Sequence, residues 1–149
     1  MKKLNRKGFT LVELLAVIII LAIVVGITIP AITNVINDSK NNALGTALNA
    51  AEKFISDQYA FMQVDNTNVN SAFSNAYNAG TITVDAALIE AMGLQTKDVT
   101  TVTVTLDQET GKACVTVSAI PTSSQYYTTK YWNASGEPAT GAQNKSKGC

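Results

Sequence analysis

The hydrophobic and polar positions divide the chain into stretches with different periods. Residues 9–29 are apolar apart from scattered Thr and Gly and one carboxylate, Glu13. From residue 31 to about residue 62, apolar residues recur at steps of three and four, which predicts an amphipathic helix. Together these stretches predict one helix over residues 9–62. From residue 101 onward apolar and polar residues alternate, which predicts strands with one buried face.

The apolar stretch is long enough to span a membrane. As a helix with a rise of about 1.5 Å per residue, about 21 residues extend roughly 31 Å, close to a hydrocarbon core of about 30 Å. The cations Lys2, Lys3, Arg6 and Lys7 precede it. They favour a cytoplasmic N-terminus, which leaves the remainder of the chain outside.

Two simpler interpretations of this stretch are incomplete. A secretory signal peptide has an apolar region of about 7–15 residues followed by small residues at a cleavage site. Here the apolar run is longer, and Gly26, Thr28 and Pro30 are a poor match to the small residues of such a cleavage site. A plain membrane anchor explains the length and the charges but not Glu13, because a carboxylate inside a membrane segment is costly and needs a partner.

Residues 7–13 read KGFTLVE, and this segment closely resembles the processing motif of type IV prepilins and pseudopilins. The resemblance is strong over residues 2–30. It implies that a membrane peptidase cleaves between Gly8 and Phe9 and then methylates the new amino group of Phe9. Glu13 matches the family's acidic assembly position, where it would neutralise the Phe9 amine of a neighbouring subunit. The alternative is that Glu13 reaches the membrane interface unpaired.

The resemblance, together with the residue pattern, predicts an α+β, type IV pilin-like fold. A long N-terminal helix packs on an antiparallel β-sheet, and a disulfide closes a C-terminal loop. The expected organisation is a leader at residues 1–8, a transmembrane and filament-core half-helix at 9–30, an amphipathic half-helix at 31–63, and a globular head at 64–149.

Within the head, residues 65–80 are rich in Asn and Ser and predict a loop with a short turn at 72–77. Residues 85–92 predict a short helix that ends at Gly93. Strands are expected at 101–106, 113–119 and 125–132, with a turn at 107–112, and the last segment is expected to be a polar surface loop. The aromatic residues in 126–132 are interpreted as sheet packing, with an adhesive surface patch as the alternative.

Gly26 and Pro30 are four residues apart, so the proline ring opposes the carbonyl group of the glycine. Two consequences remain open. One is a mild kink, and the other is a weak point at which the helix unwinds locally when subunits pack into a filament, as the resemblance implies.

The two cysteines, Cys114 and Cys149, would both lie outside the cytoplasm, where a disulfide is favoured. The bridge would close a loop of about 36 residues and contribute roughly 3–4 kcal/mol. The resemblance agrees, because many type IV pilins attach their C-terminal segment to the sheet in this way. Two free thiols are the alternative.

The composition of the chain reduces the classes of function that we expect. The formal net charge is zero, with eleven cations and eleven acids, so loss of the four leader cations leaves an excess of four acids. No specific nucleic-acid site is indicated. The chain has no histidine, the commonest metal ligand and general base, and no serine nucleophile motif, so we expect no cofactor, no metal and no enzyme activity.

The predicted function is that of a structural subunit of a type IV pilus for adhesion, motility or DNA uptake. The expected partners are further copies of the chain, minor pilins, the prepilin peptidase and an inner-membrane platform with its ATPase. The subunit would be a single-pass membrane protein before assembly and part of an extracellular filament afterwards. The alternatives are a pseudopilin of a type II secretion or competence system, and a membrane-anchored binding domain that does not polymerise.

Overall fold

A computed structural model describes residues 9–78 and 80–149, and the chain divides into two compact units, residues 1–36 and 37–149. The predicted leader, residues 1–8, lies outside the described residues. The long helix α1 spans Leu11–Val64 and contributes to both units. The predicted single helix is thereby confirmed, with its ends displaced by two residues.

In the first unit, the described part of α1 carries apolar side chains on every face. All of residues 9–36 are exposed, and the exposed set includes Leu15, Ile20 and Ile29. The helix contains a stretch long and apolar enough to cross a membrane, and none of that stretch is buried. A helix that is apolar all round is suited to lipid or to a packed helical core, not to water.

In the second unit, α1 buries one apolar stripe, which is the stripe predicted from the three- and four-residue spacing. Leu44, Leu48 and Ile55 are fully buried. Each buried leucine or isoleucine contributes about 1.5–3 kcal/mol relative to exposure. These side chains belong to the same core cluster as Trp132 and the inward valines of the sheet.

Strands β1 to β4 form two antiparallel hairpins. The larger joins β3 (Thr101–Leu106) to β4 (Ala113–Ala119), and the smaller joins β1 (Tyr77–Asn78) to β2 (Thr81–Ile82). In the larger hairpin Val104 pairs with Val115 on the buried face and Thr103 pairs with Thr116 on the other face. The alternation predicted for these two strands is confirmed, whereas the smaller hairpin was not predicted.

Two short helices precede the larger hairpin. Helix α2 (Ser71–Ala76) follows a 3₁₀ turn at Asn66–Asn68, and helix α3 (Ala86–Ala91) begins at the cap residue Asp85, whose carboxylate accepts the backbone N–H of Leu88 at 2.8 Å. Gly93 follows α3 with a φ of 80°, a left-handed conformation that glycine adopts without steric cost. The predicted helix over residues 85–92 is therefore confirmed.

The predicted third strand at residues 125–132 is wrong. The segment forms consecutive turns instead. The backbone N–H of Tyr127 donates to the carbonyl oxygen of Ser124, and the backbone N–H of Trp132 donates to the carbonyl oxygen of Thr128. The buried Asp98 side chain accepts two hydrogen bonds from Gln125 and fixes the start of the segment. Aromatic residues favour strands in general. Here they pack in or against the core although their backbone is irregular.

The cysteine pair forms the predicted disulfide, with the Cα atoms of Cys114 and Cys149 4.8 Å apart. The prediction of a polar surface loop for the final segment is correct only in part. Ser146 is buried, and its backbone N–H donates to the carbonyl oxygen of Val115 on β4 at 2.9 Å. The segment thus continues the hydrogen bonding of the hairpin without forming a regular strand.

Candidate functional site

The start of α1 is fixed by a reciprocal pair of hydrogen bonds between Thr10 and Glu13. The backbone N–H of Thr10 donates to Oε2 of Glu13 at 2.8 Å, and the backbone N–H of Glu13 donates to Oγ1 of Thr10 at 3.3 Å. The Thr10 hydroxyl also donates to Oε2 at 2.8 Å. This is a capping box, which satisfies two backbone donors that a helix leaves unpaired at its start.

The capping box places the Glu13 carboxylate in the first turn of α1. The partial positive charge of the helix N-terminus favours a carboxylate there. Both hydrogen bonds that the carboxylate accepts within the described residues use Oε2. Within the described residues, Oε1 of Glu13 accepts no hydrogen bond.

Phe9, the expected mature N-terminus, is 89 % exposed and directly precedes the capping residue Thr10. Gly8, on the other side of the expected cleavage point, lies outside the described residues. The neighbours of Glu13 along the helix are exposed apolar side chains, among them Val12 and Leu14. A carboxylate in such surroundings is stable in lipid or in a helical core only when its charge is compensated.

The region around Gly26 and Pro30 is helical throughout. The hydroxyl of Thr28 donates to the carbonyl oxygens of Val24 at 3.0 Å and Val25 at 3.2 Å. Serine and threonine bonds of this kind bend helices slightly. Whether Gly26 and Pro30 form a weak point during assembly is a question about a packed state, and it stays a prediction.

Elsewhere the described residues contain no group of three or more His, Cys, Asp or Glu side chains that could hold a metal ion. A depression of about 580 Å³ lies beside the disulfide and is lined by residues that include Thr105, Asp107 and Lys112. Its lining side chains include one carboxylate, one ammonium group and two hydroxyls.

Sequence reasoning identified Glu13 but missed its partner Thr10. The signal was present, because Ser or Thr followed three residues later by Glu at the start of an apolar run is the sequence signature of a capping box.

In a comparison with protein families, the family described as the prokaryotic N-terminal methylation motif matches residues 3–29. Comparison with curated proteins and with solved structures gives no match. The matched segment contains the KGFTLVE motif and the whole apolar stretch, residues 9–29. The chain therefore carries the type IV prepilin signature, that of a prepilin-peptidase substrate anchored by its N-terminal helix.

Proposed function

We propose that this chain is the structural subunit of a type IV pilus, cleaved after Gly8, methylated on the amino group of Phe9 and polymerised through α1 into an extracellular filament. The observation that carries the proposal is the methylation motif at the head of an apolar helix whose side chains are unburied in the subunit. An exposed apolar helix of this length requires lipid before assembly and the helices of other subunits after it.

Cleavage and assembly are linked through charge. Removal of the leader leaves a cationic amine on Phe9, four residues before the Glu13 carboxylate. A buried charge is tolerated when it is paired, and removing one partner of a buried pair costs about 3–5 kcal/mol. In the proposed filament, the amine of one subunit donates to the carboxylate of its neighbour, which uses Oε1 while Oε2 keeps the helix capped.

The first test is intact-mass analysis of protein sheared from the surface of the producing cells. The expected product begins at Phe9, carries one added methyl group and has lost two hydrogens to the disulfide. A minor pilin would give the same product in trace amounts beside a different major subunit. A pseudopilin would be processed identically yet be missing from the sheared fraction, and an intact Met1 terminus confined to membranes would overturn the proposal.

The substitution Glu13→Gln separates the charge of the carboxylate from its role in capping. Glutamine still accepts the backbone N–H of Thr10, because capping boxes use Glu or Gln at this position. We expect the variant to be inserted and cleaved normally and to yield filaments reduced by at least about tenfold, the effect of an uncompensated buried amine.

Thr10→Ser, which retains both the hydroxyl and the charge, is the matched control and is expected to assemble at the wild-type level. Filament mass per cell, measured by shearing and immunoblotting, is the readout. Wild-type filament mass from Glu13→Gln would show that the charge pair is unnecessary.

A further inference from the structure

Residues 143–149, here called the strap, are bound to α1 through their backbone. Side-chain oxygens of three α1 residues accept strap N–H groups: Asn41 accepts from Gln143 at 2.7 Å, Asn49 from Lys147 at 2.9 Å, and Glu52 from Gly148 at 2.7 Å. The three acceptors follow one another along the same side of the helix at spacings near whole turns.

The strap is also bound to β4. The backbone N–H of Val117 donates to the carbonyl oxygen of Asn144 at 2.8 Å, and that of Ser146 donates to Val115 at 2.9 Å. The Ser146 hydroxyl accepts the N–H of Val115 at 3.0 Å. The strap is therefore held on two sides by hydrogen bonds that involve no sulfur atom.

Gly148 allows the strap to reach the Glu52 carboxylate. A Cβ atom at this position would lie 2.2 Å from the carbonyl oxygen of Ala113 and 2.8 Å from the carboxyl group of Glu52. Only glycine accommodates that approach, since real Cβ contacts are not so short. This close approach fixes the position of the backbone at Gly148, immediately before Cys149.

We propose that Glu52 is a positioning residue for the Cys114–Cys149 disulfide. In this proposal the strap docks on α1 and β4 while both cysteines are still reduced, and the bond from Gly148 to Glu52 presents the Cys149 thiol to Cys114. Docking converts the pairing of the two thiols into a local encounter at high effective concentration. The proposal is independent of the function proposed above.

The chemical step is a disulfide exchange. One cysteine thiolate attacks oxidised glutathione, forms a mixed disulfide and releases one glutathione thiolate, which takes up a proton. The second cysteine thiolate then attacks the mixed disulfide at the protein sulfur and releases the second glutathione. Two protein thiols are oxidised to the disulfide, and one oxidised glutathione is reduced to two glutathione molecules.

The test measures the effective concentration of the two thiols in the full chain, held in detergent micelles. The reduced protein is equilibrated with glutathione buffers of graded ratio, quenched with an alkylating reagent and analysed by intact mass. A hydrogen bond to a charged group is worth about tenfold or more in such an equilibrium. Glu52→Ala is expected to lower the effective concentration by about that factor, and Glu52→Gln, which retains an acceptor oxygen, to restore most of it.

Asp57→Ala is the matched control, because Asp57 lies on the same helix and pairs with the exposed Lys53 instead of the strap. It is expected to leave the effective concentration unchanged. An effective concentration for Glu52→Ala equal to that of the control would overturn the assignment of Glu52.

A second measurement tests docking before oxidation. In the double variant Cys114→Ser/Cys149→Ser, the amide hydrogens of Ser146, Lys147 and Gly148 are expected to remain protected from exchange with deuterated solvent. Exchange at the rate of an unstructured peptide would show that the strap docks only after the disulfide has formed, and it would overturn the proposal.

Discussion

Asp38 illustrates how single polar side chains fasten the head to its helix. Its carboxylate accepts hydrogen bonds from the ammonium group of Lys130 and, at 2.7 Å, from the hydroxyl of Tyr131. The Lys130 hydrogen bond first, and the Tyr131 hydrogen bond second, hold the pKa of the Asp38 carboxyl below its ordinary value of 3.8. A carboxyl with a lowered pKa in the folded state stabilises that state only while it is ionised.

The stabilising contribution of Asp38 is therefore expected to depend on pH in a defined direction. It is complete above the unfolded value near 3.8 and is lost as the pH falls through the lower, folded pKa. The difference in unfolding free energy between the wild type and Asp38→Asn should be constant from about pH 7 to about pH 5 and should shrink below about pH 4.

Urea titrations of the full chain in micelles measure this difference, with the fluorescence of Trp132, the single tryptophan, as the probe. Asp65 and Asp107 also have lowered pKa values, because of hydrogen bonds from Thr67 and Thr110 respectively. Their contributions are common to both proteins and cancel in the difference. A difference that grows on acidification would contradict the assignment.

Single residues also show what the sequence makes predictable. Glu13 was identifiable because a carboxylate in an apolar run is costly wherever the run lies. Asp38 was not, because its partners Lys130 and Tyr131 are about 90 residues away in sequence. No local sequence pattern predicts a contact between residues so far apart in the sequence.

At the scale of elements, the glycines of the coil after β4 have two different functions. Gly136 has a φ of +79°, and a Cβ atom there would lie 2.0 Å from the backbone carbonyl oxygen of Ile120. Gly141 has a similar φ of +82°, but its nearest neighbour would be a ring atom of Tyr131 at 3.8 Å. Gly141 supplies only a conformation, whereas Gly136 also supplies space for a neighbouring chain segment.

The two glycines form a matched pair for mutagenesis. Gly141→Ala is expected to lower the unfolding free energy by about 1–2 kcal/mol, the cost of a left-handed conformation for a residue with a Cβ atom. Gly136→Ala should cost clearly more, since it adds a collision with backbone that cannot rotate away. Equal losses in urea titration would mean that the chain relaxes around position 136.

The elements with a regular period, α1, β3 and β4, were predicted correctly, as was the short helix α3. The alternation in β3 and β4 reports a buried face directly, and the three- and four-residue spacing in α1 does the same. Residues 125–132 have the composition of a strand, but Asp98, Ser124 and Thr128 wind them into turns through contacts that propensity does not encode. Tertiary packing overrides strand propensity at such places.

At the scale of the whole molecule, the disulfide joins two residues of the head that are 35 positions apart in sequence. Replacing both cysteines by serine removes a restraint on the unfolded chain and should lower the unfolding free energy by about 3–4 kcal/mol. The measurement is a urea titration of the double variant against the oxidised wild type. A loss below about 1 kcal/mol would indicate that the strap already restrains the unfolded ensemble.

The general architecture of the molecule and its disulfide were predictable from the sequence, whereas the docking of the strap on α1 and β4 was not. A membrane-length helix, an amphipathic continuation and an alternating hairpin each leave a periodic signature. The strap has none, because α1 and β4 bind its backbone, and backbone groups are the same in every residue. Its amino acids therefore read as an ordinary polar loop.

Binding of the strap through its backbone leaves some of its side chains available for other uses. Lys145 and Lys147 are exposed, although the chain that carries them is fixed between a helix and a strand. We expect both positions to accept dyes, epitopes or reactive groups, because the hydrogen bond that anchors the strap at Lys147 uses its backbone. On a filament of the kind proposed above, each subunit would display such a label at a defined height and orientation, which makes the strap a grafting site for a repeating array.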